Sequence, residues 1–210
     1  MMDGAVRKLK ATEYQGNDKS VDDNRVLFTG GNVEMRLSEA DDDSNSSLVS
    51  LWRVLYSPCG PGRVLYVKSE LTQNRWNIYA DNVPLARLVQ ETVQGMLRSD
   101  LKDTSIPVAE GVFSNAGDTR DAVTERVEGG GNKIEMTWSQ FGKPILVHSH
   151  PNEPAMPRPY GVCAVIFPAA AARLTINGKQ AKGRAWPRDR MGRPFSTCLV
   201  GLSESWTAPE

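Results

Sequence analysis

The sequence predicts a mainly β domain, a curved antiparallel sheet that closes on itself with one helix packed against it. Three observations lead there. Short segments alternating apolar and polar residues recur from Arg25 to the C-terminus, the period-two pattern of half-buried strands. Gly, Pro and Asn punctuate these segments at turn-like intervals. A single stretch, near residues 83–98, has its apolar residues at helical spacing instead. The 210 residues suit one large domain. A chain of this size buries roughly 70% of its unfolded surface on folding.

Residues 1–24 are polar, with Gly16, Asn17, Asp18, Asp22, Asp23 and Asn24, and read as a flexible N-terminal arm. Residues 25–210 then form a single barrel-like domain. Val26–Thr29 and the alternating Val33, Met35 and Leu37 read as two strands joined by a turn at Gly30-Gly31. Asp41–Ser47 is a solvated loop without the spacing of a calcium-binding loop. Residues 48–68 form a hairpin broken by Pro58, Gly60, Pro61 and Gly62, and Trp76, Ile78 and Ala80 mark another strand.

Asp81 or Asn82 caps the helix, and Pro84 sits in its first turn, where a missing N–H costs nothing. Leu85, Leu88, Val89, Val93, Met96 and Leu97 share one face; Arg87, Gln90, Glu91, Gln94 and Arg98 take the other. Strand signals return at Val108–Phe113, Arg120–Val127, Lys133–Trp138, Lys143–His148, Val162–Phe167, Arg173–Ile176 and Thr197–Leu202. Gly129–Asn132 and the pair Asn177-Gly178 are hairpin turns. About a dozen strands joined by short turns make meanders that curl and close. A lipocalin-like barrel is the simplest architecture, although the Gly-x-Trp that lipocalins carry near the first strand is absent. A two-sheet sandwich and a cupin-like barrel are the alternatives.

Composition narrows the function. Lys+Arg and Asp+Glu each number 25, so the basic excess that grips a nucleic-acid backbone or an anionic membrane surface is missing. No nucleic-acid or membrane partner is expected. No signal peptide and no membrane-spanning run is legible, which points to the cytoplasm. Three cysteines without a CxxC fit neither a disulfide framework nor a structural zinc site; Cys163 and Cys198 stand in apolar runs and read as buried. If the barrel leaves a long unpaired edge, a homodimer is the expected assembly.

Three groups of residues are candidates for function. Trp52, Tyr56, Trp76, Tyr79 and Trp138 lie on predicted strands, and aromatic side chains line apolar cavities in barrels, so a small apolar or aromatic molecule is the expected partner. His148 and His150, two residues apart on a strand end, face the same way, and Glu153 follows; two imidazoles and a carboxylate can hold a divalent metal. The run from Gly142 through His148, His150 and Glu153 to Gly161 resembles the first cupin motif, which implies a metal-dependent enzyme. The Glu comes early for that motif, and the chain has no third His to complete the family's set. Lys182, Arg184, Arg188, Arg190 and Arg193 crowd one Gly- and Pro-rich loop; such clusters can hold a carboxylate or phosphate, and here a solvated surface is expected. Neither a nucleotide-binding Gly loop nor a GxSxG serine is present. Three functions follow in order of preference. The first is a small-molecule-binding barrel, the second a metal-dependent cupin-like enzyme, and the third a structural or assembly protein without a small-molecule site.

Overall fold

The computed structural model describes residues 25–40, 42, 44–152, 159–190 and 192–209. The N-terminal arm expected over residues 1–24 lies outside them. Strand predominates: β1 (Val26–Leu37), β2 (Ser47–Tyr56), β3 (Gly62–Ser69) and β4 (Asn77–Ala80) precede the helical segment. After it come β5 (Val108–Glu110), β6 (Val112–Gly117), β7 (Ala122–Gly129), β8 (Asn132–Phe141) and β9 (Ile145–Ser149). The chain ends with β10 (Gly161–Ile176), β11 (Lys179–Gln180), β12 (Pro187–Arg190), β13 (Arg193–Ser196) and β14 (Cys198–Thr207).

The strands form one curved sheet in the order β5-β4-β3-β2-β1-β14-β10-β8-β7-β6, with β9 and β11 also on β10. All neighbours are antiparallel except β4 and β5. The two ends of this order, β5 and β6, are one stretch of chain interrupted by Gly111. β5 pairs with β4 and β6 with β7, so one strand links both ends of the sheet into a nearly closed, lipocalin-like barrel. Long β10 spans the wall: its first half pairs with β9 and its second with β8.

Two expected breaks are absent. Gly30-Gly31 is not a turn but the middle of β1, flanked by bulges. A Cβ at Gly30 would lie 2.0 Å from the Arg53 carbonyl oxygen, so the bulged strands approach more closely than any side chain permits. Val162–Phe167 and Arg173–Ile176 likewise belong to one strand, because pairing with β14 and β8 carries the chain through the intervening alanines despite their weak strand preference. The turns at Gly130-Gly131 and Asn177-Gly178 form as expected, with positive φ at both residues of each pair.

The alternation of the strands builds two separate cores. Val33, Met35, Leu51, Leu65, Tyr79, Val127, Met136, Trp138, Leu174 and Val200 converge inside the barrel and fill it. The Trp138 indole N–H donates to the Glu34 carbonyl oxygen at 2.8 Å. A carboxylate enters this interior: the Glu125 side chain is wholly buried, 3.2 Å from the Arg53 guanidinium. Burial pushes its carboxyl above the usual range, against the pull of Arg53 and Arg63.

The second core lies outside the wall, where the helix's apolar face joins a cluster with Phe28, Trp52, Val64, Tyr66, Ile78 and Trp206. Helix α1 (Val83–Val89) starts at Asn82, whose side chain accepts from Leu85 N at 3.0 Å and donates to the Cys59 and Pro61 carbonyls at 2.9 Å. A π-turn over Gln90–Gln94 and a last turn over Gly95–Leu97 (α2) follow. That wider turn changes the predicted face. Leu85, Ala86, Val89 and Val93 are buried, but Leu88 is only partly so and Met96 is exposed. Gln90 and Gln94, expected on the polar face, are buried instead. Gln90 donates to the Leu101 and Asp103 carbonyls, and Gln94 to Ser50 Oγ, which offsets their desolvation.

Candidate functional site

A large cavity lies outside the barrel wall, where the ladder is interrupted. β8 and β9 are successive partners of β10: Phe141 faces Ala169 and Ile145 faces Ile166. Three residues, Gly142-Lys143-Pro144, thus stand opposite two on β10, Phe167 and Pro168. Gln140 just before them adopts a positive φ of 57°, and Gly142 N donates to the Pro168 carbonyl at 2.8 Å. Pro144 and Pro168 have no N–H to add to the ladder, so the wall bends at this corner and leaves room beside it.

The β12–β13 hairpin folds over that room. It is anchored at its end, where Ser196 Oγ donates to the Ala169 carbonyl at 2.6 Å and accepts from Cys198 N at 3.1 Å. Trp186, buried just before the hairpin, donates through its backbone N–H to Thr197 Oγ1 at 3.2 Å. Between hairpin and corner is a cavity of about 810 Å³. Pro144, Pro168, Pro187, Pro194, Ile145 and Phe195 give it an apolar lining. Proline contributes ring methylenes and no donor, so four of them make this wall rigid and poor in hydrogen-bonding groups. Lys143, Arg193, Gln140 and Ser196 supply the polar groups. Such a volume, mostly apolar with a few polar groups, is typical of small-molecule sites.

The aromatic positions picked out from the sequence do not meet in one space. Tyr79 and Trp138 are in the barrel interior, and Trp52 and Trp76 are in the outer core. Trp52 packs edge-on to Phe28 and Trp206, with ring centres 5.1 and 6.1 Å away. Tyr56 is 47% exposed. Trp76 and Tyr79 share a smaller cleft of about 240 Å³ with Pro107, Val108 and Asn132.

His148 and His150 do face the same way at the end of β9, exposed, with ring centres 4.8 Å apart. Glu153 lies outside the described residues. Among the described residues no group of three His, Cys, Asp or Glu is arranged to hold a metal. Cys163, expected to be buried, is exposed, because its position on β10 pairs with His148 on the open side of the sheet. Cys198 is buried, and desolvation pushes its thiol up to about 12.

Sequence reasoning missed the cavity because its lining comes from four separate segments. The available signal was Pro168 inside an apolar run, and the prolines around the basic loop, where a solvated surface was expected. No protein-family model matches this chain, and no curated protein is significantly similar to it.

Proposed function

We propose that this protein is a barrel that binds a small, partly apolar molecule, and that the molecule sits outside the barrel, between the β8–β9 corner and the β12–β13 hairpin. The observation that carries this is the cavity of about 810 Å³ with its rigid proline lining. The barrel interior is filled by its own side chains, and the aromatic positions are divided between two cores, so neither supports the same role as well. All three cysteines are free of disulfides, which suits a reducing compartment such as the cytoplasm. No helix among the described residues is long and apolar enough to cross a membrane.

Three naphthyl probes, 2-naphthoate, 2-naphthalenemethanol and 2-naphthylmethylammonium, test the site by calorimetry and fluorescence. Saturable binding of at least one is expected, and Ala170→Trp, which fills the cavity from β10, should abolish it while the circular dichroism spectrum stays that of the folded barrel. If none of the three binds, or if Ala170→Trp binds as the parent does, the site is not this cavity.

A second reading, a metal-dependent enzyme using His148, His150 and Glu153, is favoured by the paired imidazoles at the end of β9. Its test is elemental analysis of the purified protein together with nickel, zinc and iron(II) titration at pH 7.5. Binding lost in a His148→Ala/His150→Ala variant supports it, and an absence of both metal and heat removes it.

A further inference from the structure

We infer that the ligand of this cavity carries an anionic head, a carboxylate in the simplest case, held between Lys143 and Arg193; this rests on the cavity being the binding site. The charges around the space are one-sided. Lys143 stands on the β8–β9 corner and Arg193 on the facing hairpin strand, and both line the cavity. Among the described residues no Asp or Glu lines it. Neither cation has an ion-pair partner among the described residues. Two exposed cations facing a space that no acid among the described residues lines leave a positive potential there, partly screened by solvent.

The acid nearest in sequence is turned elsewhere. Asp189 accepts from Gly192 N at 2.8 Å within the hairpin's own turn, and it lines a smaller neighbouring cleft with Glu34, Arg36 and Arg188. Arg193 lines the cavity and Asp189 does not. Arginine offers a planar fork that matches a carboxylate, and lysine a point charge, so the two can hold one anionic head from opposite walls. Phe195, Ile145 and the prolines then take an apolar or aromatic body. The site selects an amphipathic anion over a neutral or cationic analogue of the same shape.

The three probes share one ring system and differ only in head group. The acid is expected to bind at least about tenfold more tightly than the alcohol, as a charge-assisted hydrogen bond implies, and the ammonium probe more weakly than either. Raising the salt from 20 to 500 mM should narrow the gap between acid and alcohol. In Lys143→Gln/Arg193→Gln the ratio of acid to alcohol affinity should fall toward one. That variant is compared only after its circular dichroism spectrum has shown it folded; the order of the three probes on the parent protein needs no variant. Equal binding of acid and alcohol by the parent, or tighter binding of the ammonium, overturns the anion inference and leaves the cavity standing. Failure of all three probes removes the cavity itself.

Discussion

The barrel interior and the hollow beside its wall share strands β8 and β10 and come out opposite. Inside, side chains from β1, β2, β3, β7, β8, β10 and β14 alternate inward and meet, so the space is filled and Trp138 is fully buried. Beside the wall, the pairing of β8 and β9 with β10 is interrupted by Pro144 and Pro168, no inward alternation exists, and a cavity remains. On the proposed reading, the ligand sits outside the barrel's filled interior. Regular alternation fills a small barrel, and room for another molecule appears where the ladder is broken.

The sharpest way to break this contrast is to remove one aromatic from each region. Trp138→Ala leaves a large void in a filled interior and deletes the bond to the Glu34 carbonyl. It should cost about 3–5 kcal/mol, a drop in Tm on the order of 10 °C or more for a domain of this size. Phe195→Ala, at the already open cavity, should cost about 1 kcal/mol or less while weakening probe binding. Thermal melting of both variants checks this. Equal losses would show the corner to be packed like the interior.

A smaller effect sharpens the account of the outer core. Leu85→Ala should cost about 2–5 kcal/mol because the side chain is wholly buried under the helix. Met96→Ala should cost under about 0.5 kcal/mol, since the π-turn has carried that side chain into solvent. A helix of uniform pitch would put both on one face, so denaturant midpoints that fall equally for the two variants would argue against the π-turn.

Much of the fold was legible because its signals are local. The turns at Gly130-Gly131 and Asn177-Gly178 need residues that accept positive φ, and Asn82 with Pro84 is a helix start in three residues. What was not legible depends on distant partners. Gly30-Gly31 looks like a turn until the Arg53 carbonyl is known to press against it. Gln90 and Gln94 look exposed until the Leu101 and Asp103 carbonyls and Ser50 are seen to receive them. Closure through Gly111 depends on β4 and β7 arriving on either side of one strand. The cavity was least legible of all. Its residues are prolines and scattered cations whose meaning depends on the hairpin folding back on the corner, whereas the histidines, conspicuous by type, proved to be an exposed pair.

The filled interior also predicts a pH effect, the smallest of those expected. Glu125 is the one carboxylate among the buried side chains of the described residues, facing Arg53 across 3.2 Å. Burial raises its folded-state pKa above that of a free glutamate, and Arg53 and Arg63 only partly oppose this. The sign follows from linkage. The folded protein holds the proton more tightly than the unfolded chain, so the stabilising contribution is fully present below about pH 4.5 and is lost as pH rises through the raised value. Glu125→Gln keeps the shape and removes the titration. The stability of the variant minus that of the parent should therefore increase from pH 4 toward neutrality, measured by urea unfolding at matched ionic strength. A difference that stays flat across that range would mean that Glu125 titrates as a solvated carboxylate, with water reaching the interior. A difference that falls would mean that Arg53 more than offsets the burial. The flat outcome would show the interior to be less dry than its packing implies, and would weaken the contrast with the open corner.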